Sequence, residues 1–582
     1  MALLAAHLPA QEAQEPVLLV PMLRNGDFSL PLEPRVVPGA IPWWLQKGRC
    51  GTLEIDGKNW MVTREEALGH QPIPAYAPLV EGMVVRGTMR GTGRVAIVDG
   101  RGRRAELDLG PVEETSFEWT GAEIAEAMGA TPIPRLSLEL TAREGKVAAW
   151  TDLEVLVPLP CPSEEALREE ILALMHRILD PWLERSLDDL GPEQTGLVCA
   201  FFDAITGERL RVHEAGYHPL MRTLFDAIEH EPDPRWVETV EHYIENTLTL
   251  LIHPETHLPR MWNPRADEPL DNLEIEISVY MGFLLDAAER GPEAYRARCL
   301  AAAERMAETI LAHGVLPDGD VAASYHPGKG KGNNSTRGIR RFDVPVQLTR
   351  LAKLNGDERL LEVSRDAVAT MLYTHYWPGD WRKIDPGFDD DFGHYGDRAA
   401  TMSACFPEEK LFRRVVDSAW DKFRVVWPQA IRFGGSMAAD QVRGWKILSE
   451  YSALRPDIRE ELDGILEEAV HCQLRGQQYG SGAWGDVTYY GFQPAVDLQV
   501  GDLPGTPSNL LQGIAAIYGT GLGPSDEELR AIYTAVLRSS EETYGREYGF
   551  LSGMREAAGA NDAGGSLRLG PALTLMLEEL SD

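Results

Sequence analysis

The chain has 582 residues, 44% of them hydrophobic, enough to bury a sizeable core and to divide into more than one domain. Its 90 acidic residues against 56 basic ones leave a net charge of -34, which argues against nucleic acid or an anionic membrane as partner. Cys50, Cys161, Cys199, Cys299, Cys405 and Cys472 stand far apart with no CxxC pair, so buried free thiols are expected rather than a zinc ribbon or a redox motif.

Residues 1–16 open with MALLAAHLPAQEAQE, a short apolar run with no basic residue before it. They read as the remnant of a secretory signal or as a disordered tail; the first reading places the protein outside the cytoplasm, secreted or periplasmic. No later run is long and apolar enough to span a bilayer.

From 17 to 160 the strand signal dominates. Runs such as MVVRGTM, VAIVDG, AELDLG, LSLELTA and DLEVLVPL are separated by Gly, Pro and Asp-Gly turns, the pattern of an antiparallel β-sandwich. The opening Leu23-Arg-Asn-Gly-Asp-Phe28, followed by Ile41-Pro-Trp-Trp44, resembles the start of jelly-roll carbohydrate-binding modules. A purely structural sandwich with Trp43 and Trp44 in its core is the alternative. At Cys161-Pro162-Ser163 the pattern changes, because Ser163 can cap a helix whose first turn holds Glu164 and Glu165. Residues 161–233 are read as a helical linker region.

From 234 to 582 two sets of helices alternate. One set is expected to start near Pro234, Pro292, Glu358, Glu408, Asp457 and Ser525; the other near Asn272, Arg340, Asp391, Ser436, Pro507 and Ser566. Members of the second set run into the first through short turns such as Arg290-Gly-Pro-Glu and Asn355-Gly-Asp-Glu. The return connections (253–271, 315–339, 375–390, 476–505 and 544–565) are long and rich in aromatic and polar residues. Helical hairpins repeating at roughly 45 to 70 residues, with insertions on one side only, describe a closed or stacked array with one functional face. Six such hairpins resemble the (α/α)6 toroid of many glycoside hydrolases and some polysaccharide lyases. The resemblance implies an all-α catalytic domain after the β-domain, with the long loops at the mouth of a substrate cleft.

The densest chemistry lies in KIDPGFDDDFGHYGDRAATM, residues 383–402. Glycoside hydrolysis needs a protonated carboxyl beside a carboxylate. Asp389, Asp390, Asp391 and Asp397 supply candidates for one, and Asp486 in GAWGDVTYYG, or Glu274 or Glu276, for the other. The plainer reading has Asp391 capping its helix and the remaining aspartates solvated or holding a structural calcium; no other cofactor is implied. A lyase instead needs a Tyr or His to move the C5 proton and a group to neutralise a uronate. His394 and Tyr395 could serve as the former, with Arg398 nearby as a sugar contact. The island HPGKGKGNNSTRGIRRF, with Asn333, Asn334 and Arg337, resembles such a neutralising set; a flexible Gly-Lys loop is its alternative. Trp262, Trp381, Trp484 and Tyr489 are candidate sugar platforms, each of which could equally be core.

An aspartate-rich run in a helical toroid also resembles terpene cyclases, but their repeated Gln-Trp motifs are lacking, and His471-Cys472 with Cys405 makes a thin zinc set. The expected function is cleavage of a glycosidic bond in an oligo- or polysaccharide by a carboxylate pair. Uronate elimination and a non-catalytic glycan-binding protein are the alternatives.

Overall fold

The computed structural model describes residues 15–30, 41, 44–73, 82–99, 102–129, 136–186, 218–263, 268–333, 342–374, 390–417, 420, 455–475, 505–544, 553–555, 560–562 and 570–581. Asp56-Gly57 forms one of the expected tight turns. Both residues have positive φ (54° and 78°) and join β2 (Leu45–Ile55) to β3 (Lys58–Ile73) with Ile55 opposite Lys58, a two-residue hairpin matched to strand twist. The other strands of this part are β1 (Val17–Pro21), β4 (Val84–Val98), β5 (Arg104–Thr120), β6 (Leu136–Ala142) and β7 (Val147–Pro160).

These strands do not make the two separate sheets of a sandwich. They form one seven-stranded antiparallel sheet closed through β3, β6, β4 and β7. The reason lies at two positive-φ residues. β3 pairs with β7 up to Arg64, passes through Glu65 at φ 57°, and pairs with β6 from Leu68. β4 pairs with β7 up to Gly91, at φ 92°, and with β6 from Gly93. A Cβ at position 91 would strike the Val147 carbonyl, so glycine is required there. The sequence VVRGTMRGTGRVAIV, read as two strands around a turn, is one bent strand. β6 alternates buried Leu136, Leu138 and Leu140 with half-exposed Ser137, Glu139 and Thr141, as a strand with one core face does. Trp44, Trp60 and Trp150 are all buried; Trp43 lies outside the described residues.

Past Pro160 the chain turns helical, and Ser163 Oγ accepts the Ala166 N–H at 3.2 Å to cap α2 (Glu164–Ser186). After the short α1 (Gly121–Met128) and α2 come α3 (His218–His230), α4 (Pro234–Thr249), α5 (Ile277–Arg290), α6 (Glu293–His313), α7 (Asp343–Asn355), α8 (Glu358–Thr374) and α9 (Asp390–Cys405). A helical run over 410–417 follows, then α10 (Arg459–Arg475), α11 (Gly505–Ile517), α12 (Asp526–Tyr544) and α13 (Gly570–Glu579). Starts fall within five residues of those expected, except that the one near Ser436 lies outside the described residues.

One set of helices packs in the order α9, α7, α5, α3, α13, α11, an inner arc of α/α hairpins. Of residues 161–233, expected to be a helical linker region, the described stretches 161–186 and 218–233 pack with the array. α3 belongs to the inner arc and α2 packs on α13, so the array begins one hairpin before Trp236 and its start meets its end. Successive inner helices are stitched by an aspartate on one and an arginine on the next: Asp226 with Arg290, Asp286 with Arg350 (2.8 Å) and Asp343 with Arg398. The outer helices repeat the device at the surface, Glu245 with Arg298 at 2.6 Å and Glu308 with Arg359 at 2.5 Å. A single hydrophobic cluster continues from Val20 in the β-part to Leu577 in α13.

Cys161 and Cys299 are buried and Cys50 and Cys405 half-buried, all four free. Burial pushes the Cys50 thiol up to about 11 and the Cys299 thiol to about 12, so both stay protonated and inert near neutral pH.

Candidate functional site at the mouth of the helical arc

The long connections into α5 and α7 are bonded to one another. Thr256 Oγ1 donates to the Pro327 carbonyl at 2.9 Å, and the Gly328 N–H donates to the Asp271 carbonyl at 3.0 Å. Beside them, Thr370 Oγ1 of α8 donates to the Asp318 carbonyl at 2.6 Å. These contacts gather the segments that open the inner helices at one end of the arc.

A three-stranded antiparallel sheet sits there: β10 (Ile275–Glu276), β11 (Ser324–His326) and β12 (Lys331–Asn333). In register, Glu276 faces Ser324 and Ser324 faces Asn333, while His326 faces Lys331. Because side chains alternate along a strand, Glu276, Ser324, His326 and Lys331 share one face, and Ile275, Tyr325 and Gly332 take the other. The second face is core: Ile275 and Tyr325 are 3% and 1% exposed. The first face is wholly polar. Ser324 Oγ also donates to a carboxylate oxygen of Glu274, which holds that carboxylate just ahead of α5. Glu276 stands at the N-cap position of α5 and makes no side-chain cap bond. Two carboxylates, a hydroxyl, an imidazole and an ammonium thus gather at the start of an inner helix. Exposed Leu273 and Val279 flank them.

Apart from Trp262 and Arg398, the residues expected from the sequence to bind or act on a sugar divide into three groups. Asn333 lies in this register. Asp390, Asp391, His394 and Tyr395 lie in the first turns of α9, which begins at Asp390, and only their backbone is described. Asp389, Asn334, Arg337, Trp381, Trp484, Asp486 and Tyr489 lie outside the described residues.

Two expectations are corrected. Trp262, on the small β8 (Met261–Asn263) and β9 (Glu268–Leu270) hairpin, is 8% exposed and packs on Leu250 and Leu251. The Arg260 guanidinium lies 5.7 Å from its ring centroid, so its indole is packing rather than an open sugar platform. Arg398 binds the Asp343 carboxylate between neighbouring inner helices, with side chains 21% and 13% exposed, and so stands as a strut of the arc. Ser324, His326 and Asp343 were not singled out in the sequence, and only the strand register would have flagged the first two.

A second concavity, of about 700 Å³, lies on the β-part, lined by Arg94, Asp108, Thr141, Arg143 and Lys146 among others. Asp108 bonds both Arg94 and Arg143, chiefly Arg94, which holds its carboxyl below the usual range. Among the described residues, no aromatic side chain lines this hollow.

No protein-family model matches the sequence, and no curated protein matches it. Among solved structures, the chain is similar to an alpha-1,2-mannosidase from Trichoderma reesei, with TM-score 0.48, 12% identity, and coverage of 72% of this chain and 94% of that one. It is also similar to cellobiose 2-epimerase from Spirochaeta thermophila, with TM-score 0.39, 14% identity, and coverage of 65% and 97%. A CBM61 module in complex with beta-1,4-galactotriose matches 23% of this chain and 97% of its own length, with TM-score 0.17 and 13% identity. The solved structures it resembles are thus carbohydrate-active proteins, hydrolases and epimerases among them. With TM-scores below 0.5, none of these likenesses carries an activity or a residue role across to this chain.

Proposed function

We propose that this chain is a glycan-processing enzyme whose site is the polar face at the mouth of the helical arc, and that it hydrolyses a glycosidic bond. The observation that carries the reading is the carboxylate of Glu274 held by Ser324 beside Glu276, on a rigid sheet at the start of an inner helix. In this proposal Glu274 is the carboxylate that activates water, and Asp390 or Asp391 at the start of α9 supplies the proton. Asp389, Asp486, His394 and Tyr395 stay in the proposed site as neighbours of that pair.

The arc, in which α7 separates α5 from α9, is proposed to close into a toroid around the site.

One observation favours a second reading. His326 and Lys331 share the face, and an imidazole beside an ammonium suits proton abstraction next to a uronate carboxylate. Incubation with neutral and uronic-acid polysaccharides, reading reducing ends and the absorbance of unsaturated uronates, separates the two. Hydrolysis yields reducing ends alone; elimination yields both. Glu274→Gln is expected to lower kcat by about 10²- to 10⁴-fold; a variant turning over at the wild-type rate would remove Glu274 from the mechanism.

A further inference from the structure

We propose that Lys331, aided by Lys329, receives a substrate carboxylate, so that the glycan processed at the mouth bears uronic acid. The inference rests on the reading of that mouth as a glycan site and names its substrate class.

Charge is the first ground. In a chain of net charge -34, a carboxylate-bearing ligand approaching Glu274 and Glu276 would be repelled unless a local cation offset them. Among the described residues, two arginines of this end are committed: Arg260 to the Leu250 carbonyl at 2.7 Å and to Asp271, and Arg398 to Asp343. Lys329 and Lys331 are exposed, and neither has an ion-pair partner among the described residues.

Register is the second ground. Lys331 stands opposite His326 and one step along β12 from Asn333, which faces Ser324. Its side chain therefore leaves the sheet on the same face as the carboxylates and the hydroxyl.

Rigidity is the third. The hairpin carrying the lysines is not the flexible Gly-Lys loop that its composition allows. A 3-10 turn over Pro327–Lys329 ends in Gly330 at φ 59°, whose N–H donates to the His326 carbonyl at 3.0 Å. Thr256 Oγ1 holds the Pro327 carbonyl, and the Asp271 carbonyl holds the Gly328 N–H. A Cβ on Gly330 would come within 3.1 Å of Thr256 Cγ2, so the turn is seated as well as bonded. Two ammonium groups on an anchored backbone form a preorganised receptor for a carboxylate, which binds lysine as a point charge.

The test is titration calorimetry on the full chain carrying Glu274→Gln, so that ligands persist. The probes are tetramers of galacturonate, glucuronate and mannuronate, each beside its carboxyl-reduced neutral counterpart. At least one uronate tetramer is expected to bind about tenfold more tightly than its reduced form, with a preference that shrinks as salt is raised. Lys331→Met, alone or with Lys329→Met, is expected to abolish that preference, leaving the neutral tetramer's affinity and the circular dichroism unchanged. Equal binding of charged and reduced forms overturns the inference, as does a preference that survives the double replacement. If the wild type cleaves neutral glycans without any uronate preference, the inference falls while the enzyme reading stands. If no glycan is bound or cleaved, both fall.

Discussion

Replacing Arg350 tests whether the inner arc is held as described. Arg350 of α7 bonds Asp286 of α5 at 2.8 Å, with side chains 17% and 6% exposed, and also reaches Glu289, which is 40% exposed. Two unit charges about 4 Å apart attract by about 4 kcal/mol at an effective dielectric constant near 20, offset by the desolvation of both. Arg350→Met takes its bonded cation from the largely dry Asp286, with Arg290 left as a nearby charge, and is expected to cost up to about 3–5 kcal/mol; Glu289 can return to water and adds little. The outer pair Arg359 and Glu308 is the control, because its side chains are 60% and 58% exposed. Arg359→Met should lower stability far less than Arg350→Met, because water screens the exposed pair. Thermal and urea unfolding followed by far-UV circular dichroism would rank the two, and Asp286→Leu with Arg350→Met should recover most of the loss. Equal effects of the two arginine replacements, or a double variant as unstable as the single one, would refute the argument that burial decides their worth.

Two further outcomes follow from buried groups. The Tyr325 hydroxyl is buried with no hydrogen-bond partner among the described residues, and burial raises its pKa well above the usual phenol range. Tyr325→Phe should therefore be neutral or stabilising by about 1 kcal/mol in thermal unfolding, and a clear loss would mean that the hydroxyl is engaged. His230 at the end of α3 is held below its ordinary pKa, first by burial and then by Arg168. Its unfolded form takes up a proton before its folded form does, so its contribution to stability is present at neutral pH and is lost as pH falls from about 7 toward 5. His230→Gln should flatten the dependence of the unfolding midpoint over that window; an unchanged slope would refute the assignment.

Much of the secondary structure was legible because its signals are local. Ser163 caps α2 as its sequence context implies, Ser525 Oγ accepts the Glu528 N–H at 3.3 Å at the start of α12, and Asp56-Gly57 turns the chain. The alternation of short and long connections likewise points to one functional end. Errors arose where one residue changes the path of a long strand. Nothing in the neighbourhood of Glu65 or Gly91 distinguishes a bend from a turn, yet each lets its strand exchange β7 for β6 and joins two layers into one sheet. The packing of α3 was not legible because its partners, α5 and α13, lie far along the chain.

By itself the sequence determined where elements start and stop, since caps, turn residues and apolar periodicity act over a few residues. It also set the overall charge and placed carboxylates at the starts of inner helices. Which side chains meet was decided only in three dimensions. Glu274 and Ser324 are 50 residues apart, and Asp286 and Arg350 are 64 apart. Their encounters depend on how hairpins pack around the arc and on the register of a small sheet. The same packing turned Trp262 from a surface platform into core and Arg398 from a ligand contact into a strut. A side chain's role follows from what covers it, and here that cover comes from distant parts of the chain.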